Sequence, residues 1–127
     1  MSRTVVVRIG PAEQARRELS DALATIGRGE PLVPAREIWF ASIEQLAATL
    51  TERRLELLRL IRRERPRSVK ALARLAGRSI GTVEKDLQAL ALAGLVKLLT
   101  TGRVKRPEAG YDRIQLAGDI TIARAAA

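Results

Sequence analysis

Between Pro66 and Gly94 one pattern occurs twice: a serine, apolar residues at helical spacing, then a glycine. Ser68 precedes Val69, Leu72, Ala73 and Ala76, and Gly77 follows. Ser79 precedes Ile80, Val83, Leu87 and Leu90, and Gly94 follows. A serine before a helix offers an acceptor to a backbone N–H of the first turn. Apolar residues three and four apart form one buried stripe, and a glycine just past a helix takes the left-handed conformation that ends it. The pattern predicts a short helix, a tight Gly77-Arg78 turn and a longer helix, the helix-turn-helix arrangement. The short helix and the turn brace the longer one by its apolar stripe, so the polar side of its first turns is free to enter a major groove. Arg78, Ser79, Gly81, Thr82 and Lys85 are the candidates for that contact, with base recognition by some and phosphate contact by the others. Ser68 and Lys70 are further candidates for phosphate.

The flanking segments extend the pattern. Downstream, residues 95–99 (Leu-Val-Lys-Leu-Leu) are strand-like, Thr101-Gly102 is a hairpin turn, and Arg103, Lys105 and Arg106 make the returning strand basic. Pro107 marks that strand as an edge or a break. Residues 111–116 are a final strand, with Ile114 and Leu116 facing one way. Upstream, Thr51 can cap a helix with a stripe of Leu55, Leu58 and Ile61, with Leu57 and Leu60 beside it, ended by Pro66. Ser42 with Gln45 is a capping-box signature for a short helix through Leu50, with Ile43, Leu46 and Ala47 inward. Helix, helix-turn-helix and basic hairpin follow in winged-helix order. Before them, residues 4–9 and 36–41 read as strands. Between them lie an apolar helical stripe of Ala12, Ala15, Leu19, Ala22, Leu23 and Ile26 and a loop over 27–34. The expected fold is therefore α+β. It comprises a strand-helix-strand unit over 1–42, a winged helix-turn-helix over 43–118 and a tail over 119–127.

Composition narrows what such a chain does. It has no cysteine and no histidine. Disulfides and thiolate metal sites are excluded, and the commonest general base is absent. No nucleophile–base or metal-ligand constellation can be assembled, which points away from an enzyme, and no cofactor is expected. No apolar run is long enough to span a membrane and no signal-peptide pattern opens the chain, so a soluble cytoplasmic protein is expected. Charge is uneven. Residues 1–50 balance six Arg against six acids, whereas residues 51–127 carry the whole net charge of +9. A basic module joined to a neutral one suggests a polyanion as partner of the basic part. Arg62, Arg63, Arg65 and Arg67 are as readily a solvated face as a phosphate contact.

Residues 72–96 resemble the MarR-like winged-helix regulators. The stretch from Phe40 to Leu116 is similar to short regulators found beside toxin genes, in which a Leu-Thr-x-x-Arg (Leu50 to Arg54) opens the first helix. Gly77-Arg78 corresponds to their turn, Val-x-x-Asp-Leu (Val83 to Leu87) lies in their recognition helix, and Tyr-Asp-x-Ile (Tyr111 to Ile114) closes their wing. Gly81 and Thr82 stand where a larger polar residue is expected. The resemblance implies a double-stranded-DNA-binding repressor, with a toxin protein as a second partner. The alternatives are a stand-alone, effector-responsive repressor and a winged helix used only for protein–protein assembly.

The neutral N-terminal unit is expected to serve assembly. Val5, Val7 and Ile9 point one way and need cover, and Trp39 and Phe40 are aromatic anchors of the kind found at interfaces. Packing on the winged helix supplies cover, as does pairing with a second copy. A homodimer on a near-palindromic operator is the expectation.

Overall fold

The computed structural model describes residues 3–10, 12–29, 37–119 and 122–123. Along the chain run β1 (Thr4–Ile9), α1 (Ala12–Gly27), β2 (Glu37–Phe40), α2 (Ile43–Thr49) and α3 (Glu52–Glu64). They are followed by α4 (Val69–Ala76), α5 (Ile80–Leu92), β3 (Lys97–Thr101), β4 (Val104–Glu108) and β5 (Arg113–Ala117). This is the expected α+β order, a winged helix-turn-helix preceded by a strand-helix-strand unit. The expected loop continues beyond residue 29 into residues that lie outside the described ones, as do the side chains of Ala12, Ala15, Leu19, Ala22 and Ile26 and most of the C-terminal tail.

Local chemistry sets the helix boundaries. Ser42, Thr51, Ser68 and Ser79 each accept a hydrogen bond from the N–H three residues on, the N-cap geometry that their side chains favour. The Gln45 side chain reaches back, accepting from the N–H of Ala41 at 2.8 Å, one residue earlier than in a strict capping box. Gly77 closes α4 at φ 67°, and the N–H of Arg78 reaches the Ala73 carbonyl at 3.0 Å. That six-to-one bond is the Schellman closure, so the turn of the helix-turn-helix is itself a helix C-cap.

The core joins α3, α4 and α5 through Leu57, Leu60, Ile61, Leu72, Val83, Leu87 and Leu90, with Leu95 and Val96 entering from the start of the wing. The α3 stripe differs from expectation: Leu57, Leu60 and Ile61 are buried, whereas Leu55 and Leu58 are only partly so. The helix has two apolar faces, one packed on α4 and α5 and one lining a groove. The expected inner face of α2 is also corrected, since none of its residues is buried and Ile43 is 56% exposed.

The sheet topology changes the domain picture. β3 and β4 form the antiparallel wing. β5 does not extend it. It pairs in parallel with β1, Val5 beside Ile114 and Val7 beside Leu116, in a sheet of order β2-β1-β5. β2 flanks β1 in parallel on the other side, with Val7 beside Ile38. The N-terminal strand is thus the centre of a sheet that the C-terminal strand completes, and Val5 belongs to the same buried cluster as α3, α4 and α5. Pairing and core both cross the boundary expected at residue 42. The cover expected for the assembly residues comes partly from the chain itself. Val5, Val7 and Phe40 are buried within it, which removes them from any surface offered to a second copy. Ile9 and Trp39 are half-buried. The Trp39 ring lies where a side chain on residue 10 would be, so Gly10 is required there, and the Arg8 guanidinium stands 6.0 Å from the ring centroid.

Candidate nucleic-acid interface

α5 is fixed from beneath by Val83, Leu87 and Leu90, all buried. Helical periodicity then turns Gly81, Glu84, Lys85 and Gln88 outward, and all four are exposed. At its first turn the Ser79 Oγ accepts from the Thr82 N–H at 3.3 Å and lies 2.7 Å from the Thr82 Oγ1. The two hydroxyls form one polar spot at the start of the helix, each with capacity for a further partner. Nothing lies within 4 Å of where a Cβ would stand on Gly81. The helix backbone is therefore open at that point to close approach by another molecule. Lys85 stands next to this opening, and it makes no ion pair among the described residues. Ile80, assigned to the apolar stripe by its spacing, is 44% exposed.

Arg78 is placed differently from the expectation. Its Nη2 donates to Glu56 Oε2 at 2.8 Å and its Nη1 to the Arg53 carbonyl at 3.2 Å, and the side chain is only 18% exposed. It turns inward to pin the helix-turn-helix to α3 and is not on the outward face with Lys85. Ser68 likewise spends its hydroxyl on the cap, accepting from the Ala71 N–H at 3.0 Å. Lys70 is exposed on α4.

The wing turns through Gly102 and Arg103, between the paired residues Thr101 and Val104. Gly102 has φ 61° and Arg103 does not have positive φ, as in the two-residue hairpin turn with glycine at its first position. The tip is one residue later than the sequence suggested, and Arg103 occupies it. Lys105 pairs with Thr100 and Arg106 with Leu99, so the two cations fall on opposite faces of the ribbon. Arg106 approaches Glu108 at 3.7 Å, whereas Arg103 and Lys105 have no ion pair among the described residues. Pro107 is buried opposite Leu98, seating the ribbon on the helical body.

Two buttresses escaped the sequence reading. Arg54 donates from Nε to Asp86 Oδ1 at 3.1 Å and from Nη1 to the Ala48 and Thr49 carbonyls at 2.9 and 3.0 Å. It locks the end of α2 to α5, with Asp86 only 14% exposed. Arg62 donates from Nε to Asp112 Oδ1 at 2.6 Å and from Nη1 to the Ala109 carbonyl at 3.2 Å, and the Arg3 N–H reaches Asp112 Oδ2 at 2.7 Å. The Arg62 hydrogen bond, and after it that from the Arg3 backbone, hold the Asp112 carboxyl below its ordinary pKa. The only sequence signal was that Arg54, Asp86 and Asp112 each fall in one of the short motifs. Their pairing was not readable there. Arg54, Arg62 and Arg78 are committed internally, whereas of the cations singled out for contact Lys70, Lys85, Arg103 and Lys105 have no internal partner among the described residues.

A helix-turn-helix with an exposed, cation-bearing second helix and a basic two-stranded ribbon defines the winged helix-turn-helix class. The chain belongs to the HVO_A0114 family, whose profile matches residues 49–116. It is also similar to a solved structure from Mycobacterium bovis, the homodimeric winged helix-turn-helix DNA-binding domain (fragment 1-100) of Mb0332, a possible ArsR-family transcriptional regulator. The identity is 26%, the match covers 74% of this chain and 68% of that one, and the TM-score is 0.45. None of the curated proteins matches the chain. Among the described residues there is no cluster of three or more His, Cys, Asp or Glu able to hold a metal, and no helix long and apolar enough to cross a membrane.

Proposed function

We propose that this chain binds double-stranded DNA as a homodimer and represses transcription. The observation that carries the reading is the first half of α5. Its inner side is anchored by Val83 and Leu87 while Ser79, Gly81, Thr82 and Lys85 occupy one accessible stretch with an unpaired cation. A helix held this way presents hydroxyl and ammonium donors to base edges and phosphates. Arg103 at the wing tip and Lys105 behind it supply backbone contact of the sequence-independent kind. The +9 net charge, carried entirely by residues 51–127, supports a polyanionic partner. A role as antitoxin and autorepressor, with a toxin protein as second partner, rests on the resemblance of the motifs from Leu50 to Ile114 and on no chemistry of these residues.

The test is binding to a duplex from the chain's own promoter. Lys85→Ala and Thr82→Ala are expected to weaken binding and change the preferred sequence, by about 1–3 kcal/mol for each base edge the side chain recognises. Unchanged affinity in both folded variants contradicts the placement of α5.

A further inference from the structure

We infer that the outer edge of β5 is the dimer surface, where a second copy of this chain adds its own β5 antiparallel and closes an apolar groove. The inference rests on the homodimeric reading above and gives it a location. Among the described residues β5 is an edge of the sheet, bonded to β1 on one side only. An edge strand leaves a row of backbone donors and acceptors open, and proteins that do not use such an edge blunt it with lysine, proline or a bulge. β5 reads Arg-Ile-Gln-Leu-Ala and has none of these between Ile114 and Ala117.

The strand is complementary to itself. A two-fold axis pairs a strand edge with its copy antiparallel. Centring that axis on Gln115 keeps the whole strand paired. Ile114 then faces the second copy's Leu116, Leu116 faces its Ile114, and Arg113 faces its Ala117. No cation opposes a cation, which matters for joining two chains of net charge +9.

The face behind the edge is equally unfinished. Ile114 and Leu116 line a groove of about 740 Å³ together with Ile43, Leu46, Leu55 and Leu58. Leu116 is 66% exposed and Ile43 56%. Pairing at Gln115 sets two such grooves side by side across the axis and makes one continuous apolar floor of them. The other sheet edge, β2, lacks this character: Glu37 there is ion-paired with Arg8 at 3.2 Å.

The chain has no cysteine, so a single introduced thiol reports on the axis. Residues opposite each other in an antiparallel pair have Cα atoms about 4.5–5.5 Å apart, within the roughly 4.4–6.8 Å that a disulfide spans. Full-length Gln115→Cys is expected to form a covalent dimer on mild oxidation, whereas Glu37→Cys on β2 stays single. Leu116→Arg, at an exposed position, is expected to halve the mass measured by light scattering while the helical circular dichroism is retained. A native mass equal to one chain overturns both the homodimer and this surface. A native dimer that persists in Leu116→Arg and does not cross-link through Gln115→Cys overturns the surface alone.

Discussion

Asp112 holds three segments with one carboxylate: the start of β5, the Arg62 side chain of α3 and the backbone N–H of Arg3 before β1. These donors favour the charged form, so the folded-state pKa lies below the ordinary aspartate value of 3.8. A depressed carboxylate adds stability above its unfolded pKa and loses it as pH falls through the folded one. Asp112→Asn is therefore expected to be less stable than the native chain at neutral pH, and the gap in urea midpoints should close as pH drops below 3.8. A gap that does not change across that window contradicts the assignment. The same residue shows what the sequence withheld. Tyr111-Asp112 was visible as a motif, but its partner Arg62 lies 50 positions away, and only the fold brings them together. The caps at Ser42, Ser68 and Ser79 were legible because donor and acceptor are three residues apart. Arg78 was misassigned for the complementary reason: a cation at the head of a recognition helix suits phosphate, and its real partner, Glu56, lies 22 positions away on another helix.

Among the elements, the helices and the turn of the α4–turn–α5 unit were readable, since spacing and glycine define them, although Ile80 of the expected stripe is 44% exposed. Its two glycines predict opposite results. Gly77 sits at φ 67° with open space around it, so Gly77→Ala meets only the backbone penalty and should cost about 1–2 kcal/mol in unfolding measurements. Gly81 is the second residue of α5 with equally open space, so Gly81→Ala should add stability, by less than the roughly 0.8–1 kcal/mol of a helix interior. Equal shifts of one sign contradict this account of the turn. β5 was legible as a strand but not in its pairing, because alternation of apolar residues says which face is buried and not which neighbour is bonded. Its parallel pairing with β1 predicts that deleting residues 1–42 strands β5 and uncovers the core at Val5. The truncated chain should melt at a clearly lower temperature than the full chain. An unchanged Tm would mean that the winged helix stands without its N-terminal strands. The exposed faces of Ile43 and Leu116 belong to this scale too, since the helix read as inward-facing and the strand whose Ile114 and Leu116 were read as sharing one face line one open groove.

For the whole molecule, the charge asymmetry seen along the sequence has been thinned by folding. Arg54, Arg62 and Arg78 act as internal struts, while Lys70 on α4, Lys85 on α5 and Arg103 and Lys105 on the wing stay unpaired among the described residues. A surface of this kind binds duplex DNA by displacing counterions, a property of the assembled face and not of any one side chain. The most direct test is titration of the full chain with its promoter duplex over a range of salt. If about six phosphates are neutralised, log K falls against log salt with a slope of about −5, and Arg103→Ala and Lys105→Ala lower affinity for every sequence and flatten that slope. An affinity that does not depend on salt, or a preference for single-stranded RNA over the duplex, contradicts the account.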